Sequence, residues 1–188
     1  MPPVGGRELR RVMGHFATGI ALMTTQAGRD MHGMTVNALT SLSLDPPLVL
    51  VCLQKAARMT DLVRASGSFA LNFLSEDHAA LSDHYAGRPI PPGEAHFVPW
   101  QGGPRLTSAI AALALGLERM VEAGDHTIAI GRVVAVHEGD PSQKPLLFFR
   151  GRYGDFRERE ALRRAPALQF GGSAHLIYYD PSEESTWK

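Results

Sequence analysis

The sequence predicts a mainly β chain with flanking helices, an α+β domain arranged as a Greek-key or partly open barrel. Six or more short segments either alternate apolar and polar residues or run continuously apolar, turn residues close them, and short helical stretches punctuate them.

Each element follows from local spacing. Leu9, Val12, Met13 and Phe16 fall at i, i+3, i+4 and i+7, the apolar stripe of an amphipathic helix that Thr18-Gly19 ends. Ile20 to Thr25 reads as a strand and Gln26 to Asp30 as its hairpin loop. The next stretch, HGMTVNALTSLSLDPPLVLVCLQ from His32 to Gln54, reads as two strands joined by an exposed shelf, with Gly33 to Ala38 nearly free of bulk and charge. An ordinary edge strand running into a turn fits the same pattern. After the Asp45-Pro46-Pro47 turn, the Leu and Val run of Leu48 to Leu53 calls for cover on both faces.

Thr60 is the expected N-cap of a two-turn helix with Leu62 and Val63 facing inward, stopped by Ser66-Gly67. Its N-terminus beside Arg58 is a ready anion site. Phe69 to Leu74 is a strand, and Ser75 caps a helix running to about Tyr85. The residues from Gly87 to Pro104 form the longest irregular stretch. Ala112 to Ala123 alternates Leu113, Leu115 and Leu117 with smaller residues, which argues strand against its helical composition. Gly124-Asp125 turns the chain into a strand over Thr127 to Val136, and Leu146 to Phe149 adds another. DFREREALRR, Asp155 to Arg164, reads as a solvated helix, and the tail beyond it carries apolar residues that must dock on the domain or on a neighbouring subunit.

Composition narrows the function. A chain of 188 residues is one large domain, here 1–154, with an extension over 155–188. With 19 basic and 19 acidic residues, nothing advertises nucleic acid or an anionic membrane as a partner. The single cysteine, Cys52, points to a reducing, cytoplasmic setting, and neither a leader nor a spanning segment is evident. No dinucleotide glycine fingerprint, P-loop, nucleophile elbow or dithiol motif occurs, and the eight histidines lack metal-ligand spacing. What remains is the shelf, the segment from Lys55 to Thr60, Gly124-Asp125-His126-Thr127, and Phe149-Arg150-Gly151-Arg152-Tyr153. Each alone is explained by turn or strand-end chemistry.

Together and in this order they resemble the short-chain flavin reductase family, the reductase components of two-component flavin-dependent monooxygenases. FATGIALMTT (from Phe16), HGMTVNALTSLSLDPPLVLVCL (from His32), GDHTIAIGRV (from Gly124) and LLFFRGRYG (from Leu146) carry the likeness, which spans almost all of Arg7 to Tyr153. It implies a split β-barrel homodimer that binds FMN or FAD, reduces it with NADH or NADPH, and releases it to a partner oxygenase. By position, the resemblance gives Met34, Thr35, Val36, Asn37 and Ala38 to the isoalloxazine ring. It gives Cys52, Leu53 and Gln54 to the ring's other side or the ribityl chain, and Arg58, Met59 and Thr60 to the phosphate. Tyr85 closes the site, and His126 is the catalytic candidate facing flavin and nicotinamide, with Arg150 and Tyr153 nearby. No metal is implied. Ala38 and Ala57 replace hydroxyl residues common in the family, each costing about 1 kcal/mol if the hydroxyl bonded the flavin. A non-catalytic FMN-binding electron carrier or redox sensor of the same fold is the alternative. A barrel for haem or pyridoxal phosphate is disfavoured by the want of an axial ligand or a shelf lysine.

Overall fold

The computed structural model describes residues 3–157. In chain order these form α1 (Gly6–Met13), β1 (Thr18–Gly19), β2 (Ala21–Ala27), β3 (Asp30–Val36), β4 (Leu39–Leu44), β5 (Pro47–Gln54), α2 (Arg58–Ser66) and β6 (Ser68–Phe73). A 3₁₀ turn (Glu76–His78), α3 (Ala79–Tyr85), β7 (Phe97–Val98), β8 (Arg105–Leu106), β9 (Ala111–Ala123), β10 (His126–Glu138), β11 (Leu147–Phe149) and β12 (Arg152–Gly154) follow. They lie in a compact unit, Met1–Phe156, and a second unit, Arg157–Lys188, falls almost wholly outside the described residues. The helix expected over Asp155 to Arg164 and the docking of the tail lie outside them too.

Seven strands pair antiparallel in the order β3-β2-β6-β9-β10-β5-β4. The two edge strands are consecutive in the chain, separated only by Asn37 and Ala38. Three Cα steps of 3.8 Å span at most about 11 Å, so the sheet must curl until its edges approach at that corner. Cys52 N–H on β5 donates to the Ala38 carbonyl at 2.8 Å and fastens it. A smaller sheet, β1-β11-β12, and the hairpin β7-β8 complete the strands.

Alternation sorts the apolar residues onto two sheet faces. On one face Met23, Val51, Leu53, Phe69, Leu71 and Leu115 pack with Met59 and Val63 of α2. On the other Leu22, Leu74, Leu81, Leu106 and Leu146 pack under α3 and the β7-β8 hairpin. Buried Asn72 ties this second layer down: its amide donates to the Leu22 carbonyl at 3.0 Å, and its carbonyl oxygen accepts the Leu106 N–H at 2.8 Å.

Three local expectations are corrected. Helix α1 ends at Met13 rather than at Thr18-Gly19, because the Gly14 N–H bonds back to the Arg10 carbonyl and the chain then turns. Its apolar stripe is open: Leu9, Val12, Met13 and Phe16 are 55–69% exposed. Thr60 does not cap α2; Ala57 holds that position without a side-chain bond, while the Thr60 hydroxyl, buried, donates to the Gln54 carbonyl at 2.8 Å. Strand β5 is not covered on both faces, since only Val49, Val51 and Leu53 are buried, and Leu48, Leu50 and Cys52 stay half-exposed. The period-two reading of β9 and the Gly67 stop (φ 67°) stand as expected, and Ser75 holds the expected cap position, at the 3₁₀ turn that leads into α3.

Candidate functional site

The shelf resolves into a strand whose residues point alternately to opposite sides, and this divides the expected ring-binding set. Val36 is buried in the main core and Met34 packs against it. Thr35 faces α3, where its hydroxyl donates to the Ser82 carbonyl at 2.7 Å. Only Asn37 and Ala38, past the strand end, are exposed. Of the five residues expected to hold the ring, the side chains of Asn37 and Ala38 form an exposed two-residue ledge, and those of Met34, Thr35 and Val36 are engaged inside the fold. Asn37 is steadied by its amide, which donates to Thr18 Oγ1 at 3.2 Å.

Beside the ledge, the last residues of β5 build a second wall. In the β5–β10 register Cys52 stands opposite Ile128 and Gln54 opposite His126, so these four side chains share one face. Leu53 is fully buried on the other face, in the main core, and meets no ligand through its side chain. Where β5 ends, α2 begins without a side-chain cap; the Thr60 N–H bonds the Ala57 carbonyl at 2.9 Å, which leaves the N–H groups of Arg58 and Met59 to an outside acceptor. Arg58, its first residue, is 64% exposed, and among the described residues its one ion pair is a long one to Asp30 at 3.9 Å. The Met59 side chain is fully buried and both the hydroxyl and the N–H of Thr60 are occupied, so of these two residues only the Met59 N–H is open to an anion.

His126 follows the Gly124-Asp125 turn. Its Nδ1 lies 2.8 Å from Asp125 Oδ1, and the ring is 38% exposed. A carboxylate partner makes Nδ1 the N–H donor in the neutral ring, which leaves Nε2 as the outward acceptor. That hydrogen bond from His126 in turn holds the Asp125 carboxyl below the usual carboxylate range. Asp125 reads in the sequence as a turn residue; its neighbour in the Gly-Asp-His run is the signal that it orients the ring.

On the α3 side of β3, the Tyr85 ring packs directly on Gly33, where an added Cβ would meet it at 2.6 Å. The pair lines a cavity of about 350 Å³ with His32, His84 and Gly87. Burial pushes the Tyr85 phenol up, and burial followed by the charge of Arg58 pushes the His32 imidazole down. Tyr153 is occupied differently from its expected place beside a ligand. Its hydroxyl lies 2.7 Å from Asp83 Oδ1 and 3.0 Å from Ser82 Oγ, a clasp of β12 onto α3. Ser82, which also receives Thr35, joins two of the expected site residues, although no sequence signal marks it. Arg150 stands apart, in a left-handed conformation (φ 50°) at the β11–β12 turn with its N–H on the Gly14 carbonyl at 2.8 Å.

The donor set fits a flat ring bearing an anionic tail. It offers an open ledge, amide groups of Asn37 and Gln54 at the ring edge, and Arg58 with an uncapped helix start for a phosphate. Among the described residues no group of three or more His, Cys, Asp or Glu is placed to hold a metal, and no helix is long and apolar enough to cross a membrane.

Known proteins share both sequence and fold with this chain. The flavin reductase like domain model matches residues 13–157. An NADH-dependent flavin reductase of Rhodococcus sp is 39% identical over 166 residues, covering 87% of this chain and 92% of that one. The reductase component of a 4-nitrophenol 4-monooxygenase/4-nitrocatechol 2-monooxygenase from Rhodococcus opacus is 35% identical over 161 residues, 83% of this chain and 84% of its own. The solved flavin reductase PheA2 superposes with a TM-score of 0.78 at 38% identity, across 82% of this chain and all of that one. Matched by the domain model over residues 13–157 and by relatives of this identity and coverage, the chain belongs to the flavin reductase like domain family.

Proposed function

We propose that the chain is an NADH:flavin oxidoreductase that reduces FMN or FAD and hands the reduced flavin to a separate monooxygenase. The observation that carries this reading is the single outward face shared by Cys52, Gln54 and His126, running from the ledge at Ala38 to the uncapped start of α2 at Arg58. The relatives' names support NADH as reductant and a monooxygenase as recipient.

Hydride chemistry resides in the flavin and nicotinamide themselves, which is why the site needs no paired acid and base. The protein's part is placement. Asn37 and Gln54 present amides to the ring edge, Arg58 and the α2 N-terminus take the phosphate, and His126, fixed by Asp125, directs Nε2 at the approach side. Tyr85 over Gly33 bounds the pocket. The fold is read as a split β-barrel, on the curl forced by Asn37 and Ala38. A homodimer is supported by apolar side chains left open on one copy, among them Leu44, Val134 and Val136 at 52–67% exposure. The one half-exposed cysteine suits a reducing, cytoplasmic setting.

Purified protein should oxidise NADH steadily when free flavin is added, with saturation in that flavin. Tightly held flavin without turnover would instead select the electron carrier. His126→Ala should lower the NADH-dependent rate by about 10²-fold, within the range of one positioned catalytic group, with little change in flavin affinity. Unchanged kinetics would remove His126 from the site.

A further inference from the structure

Helix α1 is turned the wrong way round for a helix folded by its own domain. Arg7, Arg10, Arg11 and Gly14 lie at i, i+3, i+4 and i+7 and form one face, about 200° around the axis from the face that begins at Leu9. The apolar face is exposed, whereas the arginine face lines a cavity of about 410 Å³ with His15 and Arg150 from the β11–β12 turn. Four guanidinium groups thus converge on one space, and among the described residues no carboxylate pairs with any of them. Like charges gather at a cost unless an anion lies between them. The turn is fixed in place by the bond from Arg150 N–H to the Gly14 carbonyl, so the cluster is part of the fold.

Two further features specify the anion. Phe149 is 45% exposed beside the arginines, with the Arg150 guanidinium 5.9 Å from its ring centroid and His15 edge-on at 6.3 Å, a surface on which a base can stack. The cavity is also close to the ledge: Asn37 bonds Thr18, Thr18 pairs with Phe148, and Phe149 and Arg150 come next. That path places the cluster roughly 10–15 Å from Asn37, within one dinucleotide's length.

We infer that the cavity between α1 and the β11–β12 turn binds the adenosine diphosphate half of a dinucleotide, the arginines taking its phosphates and Phe149 with His15 its base. This rests on the function proposed above and goes beyond it, because FAD and NADH both carry that half whereas FMN and reduced nicotinamide mononucleotide do not. Arginine is suited to the task by its planar fork of donors.

The test uses the full chain free of flavin, titrated calorimetrically with ADP and with adenosine. ADP should bind and adenosine should not, and the Arg10→Ala/Arg11→Ala double variant should weaken ADP on the order of tenfold or more, with partial recovery in Arg10→Lys/Arg11→Lys. An unchanged thermal midpoint verifies that the variants fold. In turnover, a KM rise for NADH with none for reduced nicotinamide mononucleotide assigns the cavity to the reductant; a rise for FAD with none for FMN assigns it to the flavin. ADP binding that is absent, or indifferent to both double variants, overturns the inference even if NADH oxidation with FMN persists. Arginine-dependent ADP binding in a protein that oxidises NADH with no flavin upholds the cavity and refutes the reductase reading.

Discussion

Helices α1 and α2 are similar in length and both amphipathic, yet they are oriented oppositely. Helix α2 buries Met59, Thr60 and Val63 against the sheet and leaves Arg58, Asp61 and Arg64 outside. Helix α1 buries nothing; it turns arginines toward its own β11–β12 turn and apolar residues outward. The contrast separates two sources of order. The core folds α2 and leaves its N-terminus without a side-chain cap, where the proposed function puts a phosphate. Helix α1 has no such core contact, and on the proposals above a second copy would cover its apolar face and an anion would meet its arginines.

The comparison breaks most readily at Met59. Met59→Ala should cost about 2–5 kcal/mol in urea unfolding, because the side chain is fully buried in the main core. A loss below 1 kcal/mol, the size of an ordinary surface substitution, would deny that the core holds α2. At the exposed start of the same helix, Arg58→Ala should weaken FMN by about 1.5–3 kcal/mol and riboflavin hardly at all, since only FMN bears the phosphate. Equal losses in a binding titration would remove the helix start from the site.

The 3₁₀ turn before α3 supplies an intermediate case. The Ser75 N–H donates to Nδ1 of His78, and burial pushes that imidazole below its ordinary value of 6.5. The unfolded chain then binds more protons just below pH 6.5, so stability rises with pH through that window and levels off above it. His78→Asn should flatten the slope of unfolding free energy between about pH 5 and 6.5. An unchanged slope would assign it to other groups. The smallest effect belongs to α1: Val12→Ser should alter the stability of a dilute monomer by less than about 0.5 kcal/mol. In equilibrium sedimentation the same change should weaken self-association, and a variant that associates as well as the parent would leave the open stripe without a second copy.

Much of the fold was legible because turns and alternation are local. The β9 strand, which composition alone would make a helix, was readable from Leu113, Leu115 and Leu117 standing two apart. The Gly67 stop and the Ser75 cap were equally local. Of the residues that the resemblance assigned to the site, Asn37, Ala38, Gln54 and Arg58 are exposed and His126 is partly so. Val36 and Leu53 are buried because each stands in a strand next to an exposed residue and therefore points the other way, and Met59, one position past Arg58 in α2, is rotated about 100° into the core, differences of one position that a motif does not register. The hydroxyls of Thr35 and Tyr153 went to internal partners 47 and 70 residues away, and that of Thr60 to the Gln54 carbonyl six residues back.

By itself the sequence determined the kinds of elements, their order and the chemical groups on offer, since hydrophobic period, capping and turn residues act over a few positions. Which face of each element is buried was decided only by tertiary structure. Two residues between β3 and β4 force the sheet to curl, that curl sets the side on which α2 docks, and the β11–β12 turn brings Arg150 to α1. Such pairings join residues far apart in the chain, and their energies depend on what surrounds them once packed.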